Sequence, residues 1–237
     1  MPSLDKWIET LPKEDQPFVA ETISELWDVF HDLKQKGYLR PTLESKQRRD
    51  FPKILKTSNG LFEAFNMLFT VPDVKGEFVY GRNKEFVEHN REYGFDERRY
   101  VYLLLSESMS VFLRNVELFR SCFLFVLKTA RRPRKKTGNR RKEFYHTMGI
   151  GELLNQLVNI CGSKGKKIKD KIDWELRNGL THGLLWTDGL TIRYSKDIRF
   201  TKKGQVRLDA LWKKASEQSK ITQCLINLIP AWYSGDC

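Results

Sequence analysis

The stretch Tyr100–Lys128, "YVYLLLSESMSVFLRNVELFRSCFLFVLK", decides the class of fold. Leu104, Met109, Phe112, Val116, Phe119, Phe123 and Val126 recur at steps of mostly three or four, the spacing of one face of an α-helix. The stripe predicts a helix from Asp96 to about Ala130, roughly nine turns at about 3.6 residues each. A helix so long and so apolar on one side is the central core element. Glu107, Arg114, Glu117 and Arg120 interrupt the tract, so it is a poor membrane span.

On its N-terminal side, residues 14 to 36, "EDQPFVAETISELWDVFHDLKQK", carry Phe18, Ile23, Leu26, Trp27, Phe30 and Leu33 at the same period and predict a first long helix. Residues 37 to 56, with Gly37, Pro41 and Pro52 among charges, read as an irregular connection. "SNGLFEAFNMLFTV" reads as a shorter helix behind the cap candidate Ser58, and residues 71 to 95 have no clear pattern.

On its C-terminal side, "MGIGELLNQLVNICG" predicts a helix that stops at Gly162. "KGKKIKDKIDWELRNGLTH" predicts one further helix, with Ile168, Ile172, Leu176 and Leu180 four apart. Alternation in "LLWTDGLTIRYSKDIRFTKKGQVRL" around Asp188-Gly189, with Lys203-Gly204 beyond, predicts a short β-hairpin. A last amphipathic helix from about Leu208 to Trp232 turns Leu211, Ala215, Ile221, Leu225 and Leu228 inward. There is no internal repeat. The expected fold is an all-α helical bundle with a small hairpin before its C-terminal helix. Residues 1–95 form an N-terminal helical region of unknown role, and 96–237 a helical domain.

The chain has 237 residues, 40% hydrophobic and 12% aromatic, enough to build a core without disulfides or metal. Forty-two Lys and Arg against thirty Asp and Glu leave a net charge of +12, which favours polyanions and makes nucleic acid the leading partner class. The opening "MPSLDKWIETLPKEDQ" puts acids where a signal peptide needs a basic and then an apolar run, so a cytoplasmic protein is expected. Cys122, Cys161, Cys224 and Cys237 are far apart, without zinc-ligand spacing, and Cys122 and Cys224 read as inert core thiols.

The sharpest compositional shift is "RRPRKKTGNRRK", 131 to 142, with eight basic residues in twelve, broken by a proline and a glycine. Such a run is either solvated charge or a phosphate-gripping loop, and in a eukaryotic source it would also suit a nuclear localisation patch. A second cluster, "SKGKKIKDK", lies just before the helix that ends in "RNGLTHG". The RNA-binding candidates are Arg131, Arg132, Arg134, Lys135, Lys136, Arg140, Arg141 and Lys142 in the loop, with Lys164, Lys166 and Lys167 in the cluster.

"RNGLTHG", Arg177 to Gly183, poses the functional question. Asn178 and His182 share a helix face, while Arg177 lies about 140° round an ideal helix from His182. The bland reading is a histidine complementing a helix dipole and an arginine paired with an acid. "RKEFYH" repeats the interval with Arg141 and His146, so spacing alone decides little. His31 and His89 have no partner pattern. Phosphate-binding glycine loops, GxSxG and HExxH are absent from the sequence.

With its surroundings, the string Arg177-Asn178-Gly179-Leu180-Thr181-His182-Gly183 resembles the signature of the HEPN superfamily, an arginine, a polar residue, three variable residues and a histidine ending a helix of an α-helical bundle. The resemblance covers about residues 96–237. It implies a metal-independent endoribonuclease without cofactor, acting as a homodimer with two motif helices apposed across a two-fold. Carried over, Arg177 binds and neutralises the scissile phosphate, His182 is general acid or base, and Asn178 orients the histidine or the phosphate. It also implies a toxin or antiphage effector, with an antitoxin or regulatory protein as a further partner. RNA carries its own nucleophile in the 2′-hydroxyl, so such a site needs only to move protons and stabilise a charged phosphorane. The rival expectations are a non-catalytic module of the same type that binds RNA or protein, and a basic helical DNA-binding protein, for which no recognition helix is evident. Gly179 and Gly183 are expected to let the two motif helices approach.

Overall fold

A computed structural model describes residues 2–43, 49, 53, 56, 97–130, 144–181, 185–188, 190–195 and 203–234. Its helices are α1 (Pro2–Glu9), α2 (Gln16–Gln35), α3 (Glu97–Val126), α4 (Ile150–Cys161), α5 (Ser163–Lys171), α6 (Trp174–Thr181) and α7 (Leu208–Ser234). The strands are β1 (Thr129–Ala130), β2 (Phe144–Tyr145), β3 (Leu185–Asp188), β4 (Thr191–Ser195) and β5 (Lys203–Arg207).

The central helix forms where its stripe predicts. Leu104, Phe112, Val116, Phe119, Phe123 and Val126 are buried, and Met109 is partly so. Its main partner is α7, whose Leu211, Ala215, Ile221, Leu225 and Leu228 point inward as expected. One polar seam crosses this apolar contact: the single Thr222 hydroxyl proton is shared between the carbonyls of Asn115, 3.1 Å from Oγ1, and Gln218, at 2.9 Å. A buried hydroxyl left without such partners would cost about 1–3 kcal/mol.

Helix α2 packs against α7, α5 and α4, and its Ile23, Leu26, Phe30 and Leu33 belong to the same hydrophobic core as α3. It ends because Gly37 takes a left-handed conformation, φ 75°. Tyr38 N–H then donates to Leu33 O at 2.8 Å and Gly37 N–H to Lys34 O at 2.9 Å, the paired bonds of a Schellman stop. The chain leaving it meets the chain leaving α3, where Arg40 N–H donates to Val126 O at 3.0 Å and Lys128 N–H to Tyr38 O at 2.8 Å.

Two expectations need correction. The segment 164–182 is two helices, not one: Ile172 is extended (φ −105°, ψ 111°) and Asp173 restarts the helix by accepting Leu176 N–H at 3.0 Å. Ile168, Ile172, Leu176 and Leu180 are all buried despite the break, so the four-residue spacing reports burial and not continuity. The hairpin is a three-stranded antiparallel sheet in the order β3-β4-β5. Its third strand, Lys203–Arg207, is the part beyond Lys203-Gly204 that the alternation left unassigned.

A two-residue parallel pairing of β1 with β2 holds Thr129 beside Phe144 and Ala130 beside Tyr145. The basic loop 131–142 and the helix expected behind Ser58 lie outside the described residues. Among the described residues no helix is long and apolar enough to cross a membrane. Cys122 and Cys224 are fully buried core thiols, and burial pushes each up to about 12.

Candidate functional site

The motif helix α6 has only eight residues, too few to persist without support. Its first turn is held at Asp173, which caps Leu176 through Oδ1 and takes Lys214 Nζ on Oδ2 at 2.7 Å. Leu176 and Leu180 bury its inner face. Trp174 lies against Gly151 of α4, where a Cβ would stand 3.2 Å from the ring.

Gly179 is covered by this chain's own Tyr194. A Cβ there would stand 3.0 Å from Tyr194 Cγ and 3.1 Å from its Cβ, atoms too near the backbone to swing away. Gly204 meets the far end of the same ring, with its Cβ position 2.8 Å from the Tyr194 hydroxyl. The ring is thus seated between two glycines, one on α6 and one on β5. This corrects the expectation that Gly179 receives a partner helix, because its open side is filled from within the chain.

Arg177 points toward the central helix. Its Nε donates to Glu117 Oε1 at 3.0 Å, Nη2 reaches the same oxygen, and Nη1 donates to Asn178 Oδ1 at 3.1 Å. Glu117 Oε2 takes Arg120 Nε at 2.8 Å, and Arg120 Nη1 donates to Met148 O at 3.0 Å. Burial alone would raise the Glu117 carboxyl, but the hydrogen bonds and charges of Arg120 and Arg177 outweigh it and hold the group below its usual value. Two guanidiniums against one carboxylate leave the cluster one positive charge. The Arg177 side chain is 19% exposed, so it is held in place and still open on one side.

Of the motif residues, Arg177 and Asn178 are therefore in contact, and His182 and Gly183 lie outside the described residues. The eight loop candidates, Arg131, Arg132, Arg134, Lys135, Lys136, Arg140, Arg141 and Lys142, also lie outside them. The second cluster is engaged by acids. Lys164 Nζ is 2.9 Å from Asp32, Lys166 Nζ 2.6 Å from Asp170 and Lys167 Nζ 3.9 Å from Glu25. Lys166 and Lys167 remain largely exposed; the Lys166 pair is of the screened surface kind, while Lys167 reaches the buried Glu25. His146, of the second Arg-to-His interval, is exposed in the turn after β2.

Glu117 and Arg120 are the site residues that sequence reasoning missed. Their signal was present as charges three apart inside an apolar helical stripe, where a charge needs a partner. Among the described residues no group of three or more His, Cys, Asp and Glu could hold a metal ion. Comparison with protein-family models, with curated proteins and with solved structures finds no match.

Proposed function

We propose that the protein is a metal-independent endoribonuclease of the HEPN type. In this reading Arg177 neutralises the scissile phosphate, His182 moves the proton and Asn178 orients the site. The observation that carries it is the Arg177 guanidinium, oriented by Glu117 and Asn178 on the capped helix Trp174–Thr181. A cation fixed before substrate arrives loses little freedom on binding phosphate, which is what transition-state stabilisation requires.

The 2′-hydroxyl oxygen attacks the adjacent phosphorus, the P–O5′ bond breaks, and the products are a 2′,3′-cyclic phosphate and a 5′-hydroxyl. One proton leaves the 2′-oxygen and one arrives at the 5′-oxygen. An imidazole, with an ordinary pKa of about 6.5, serves either transfer near neutrality. Because Arg177 and the position of His182 diverge by about 140° on an ideal helix, the site is shared between two copies of the chain. The basic loop 131–142 supplies affinity. Such an enzyme acts in the cytoplasm as a toxin or antiphage effector, under an antitoxin or regulatory protein.

One observation favours a second reading, a non-catalytic module that binds RNA or protein: two nitrogens of Arg177 are engaged with Glu117, as a purely structural arginine would be. Incubating purified protein with mixed RNA in EDTA and analysing the new ends separates the two. Cyclic phosphate ends support the nuclease. RNA that is bound and left intact supports the module.

A further inference from the structure

The sheet that follows the motif helix has one face packed inward and an opposite face that is open at Trp186, Arg193, Lys203, Gln205 and Arg207 and buried at Ser195. Ile192, Tyr194 and Val206 are buried on the inner face. The register places Trp186, Arg193 and Gln205 in one cross-strand row on the other face, with Thr191 and Arg207 in the row on one side of it and Ser195 and Lys203 in the row on the other. Trp186 is 40% exposed, one of two large apolar side chains left so open among the described residues. Arg193 lies directly across from it on β4, and Lys203 and Arg207, also exposed, lie one strand further, on β5. Arg207 pairs with Asp209 at 3.4 Å, and both partners are open to solvent, where salt screens them. Asp188 occupies the register position opposite Thr191.

A part-exposed indole keeps apolar surface in water, and three cations on the same sheet face attract a polyanion. That combination is what unpaired nucleic acid recognises, with a base stacked on the ring and phosphates on the cations. A duplex hides its base faces, so a single strand fits and a duplex does not. We infer that this sheet face, centred on Trp186 with Arg193, Lys203 and Arg207, is a binding platform for single-stranded RNA. It lies a few residues past the motif, and Leu185 begins its first strand. The platform rests on the reading of RNA as the substrate, and adds where and in what form the strand is held.

The test uses the full chain and a short 2′-O-methyl single-stranded oligonucleotide, which has no free 2′-hydroxyl and cannot be cut. Trp186→Ala should weaken its binding about ten-fold, within the range for loss of one stacked base. Trp186→Phe should retain most of the affinity because the ring face remains. Arg193→Gln with Arg207→Gln should flatten the salt dependence, the slope falling by roughly 0.7 per lost contact. Circular dichroism of each variant establishes that it is folded before binding is measured.

Wild-type affinity undiminished in folded Trp186→Ala overturns the platform and leaves the ribonuclease reading standing. Equal or tighter binding of the matching duplex also overturns it. Loss of a dimer in Trp186→Ala by light scattering, with RNA affinity unchanged, assigns the face to self-association instead. Wild-type protein that binds neither oligonucleotide overturns platform and ribonuclease reading together.

Discussion

Glu117 Oε1 accepts hydrogen bonds from both Nε and Nη2 of Arg177, tying the motif helix to the central helix across sixty positions of sequence. The same carboxylate takes Arg120 on its other oxygen, so one anion aligns two cations.

This relationship has a pH signature. The Glu117 carboxyl is held below its usual value in the folded chain, so its contribution to stability is present above the unfolded pKa of about 4.3 and is lost as pH falls through the folded one. Acidification below about pH 4.3 should therefore lower the melting temperature of wild type more than that of Glu117→Gln. Melts followed by circular dichroism between pH 7 and pH 3 check this. Parallel curves for the two proteins would mean that the carboxylate is not coupled to folding.

Gly179→Ala should destabilise the fold by about 1–3 kcal/mol, the usual cost of forcing extra volume into a packed site. Alanine gains about 1 kcal/mol in helix propensity, but its methyl would enter the space of the Tyr194 ring. Truncating that ring in Gly179→Ala/Tyr194→Ala should recover part of the loss relative to Tyr194→Ala alone. Urea unfolding of the four proteins in the cycle measures it, and additive effects would contradict the seating of Tyr194 on Gly179.

The long elements were legible because burial imposes its period on them. Phe112, Val116, Phe119 and Phe123 mark the central helix as plainly in sequence as in space, and Gly37 and Gly162 stop their helices through positive φ. The break at Ile172-Asp173 was hidden because four-residue spacing survives it, and only the capping role of Asp173 betrays it. Strand β5 was missed because its inward positions are Gly204 and Val206, so a single apolar side chain marks its period. At the site, Arg177 and Asn178 could be named from the motif. Glu117, the partner of Arg177, could not, because no local rule links positions so far apart in sequence.

Asp173→Ala should cost roughly 1 kcal/mol through loss of the cap, and it also leaves Lys214 without the Asp173 carboxylate. Asp173→Asn keeps an acceptor for Leu176 N–H and should retain more of the stability. Thermal melts of both variants decide the point, and equal losses would assign the effect to the Lys214 ion pair instead.

Neutralising Arg140, Arg141 and Lys142 should weaken RNA binding and lower its salt slope by roughly 0.7 per lost contact. Turnover at saturating RNA should persist on the proposed reading, in which the loop contributes affinity and not chemistry. Binding titrations across a range of salt concentrations check it, and an unchanged slope would leave the loop as solvated charge.

The proposed sharing of the site between two copies makes mixing informative. After subunit exchange, an excess of His182→Ala protein should depress wild-type activity beyond simple dilution, and a fully active monomer by light scattering would refute the sharing.

The most direct test of the ribonuclease reading compares the initial rate of RNA cleavage in EDTA for wild type, His182→Ala and His146→Ala, each folded by circular dichroism. The account predicts cyclic phosphate ends from wild type and from His146→Ala at similar rates, and no cleavage by His182→Ala. Cleavage by His182→Ala at the wild-type rate, or no cleavage by wild type, would contradict it.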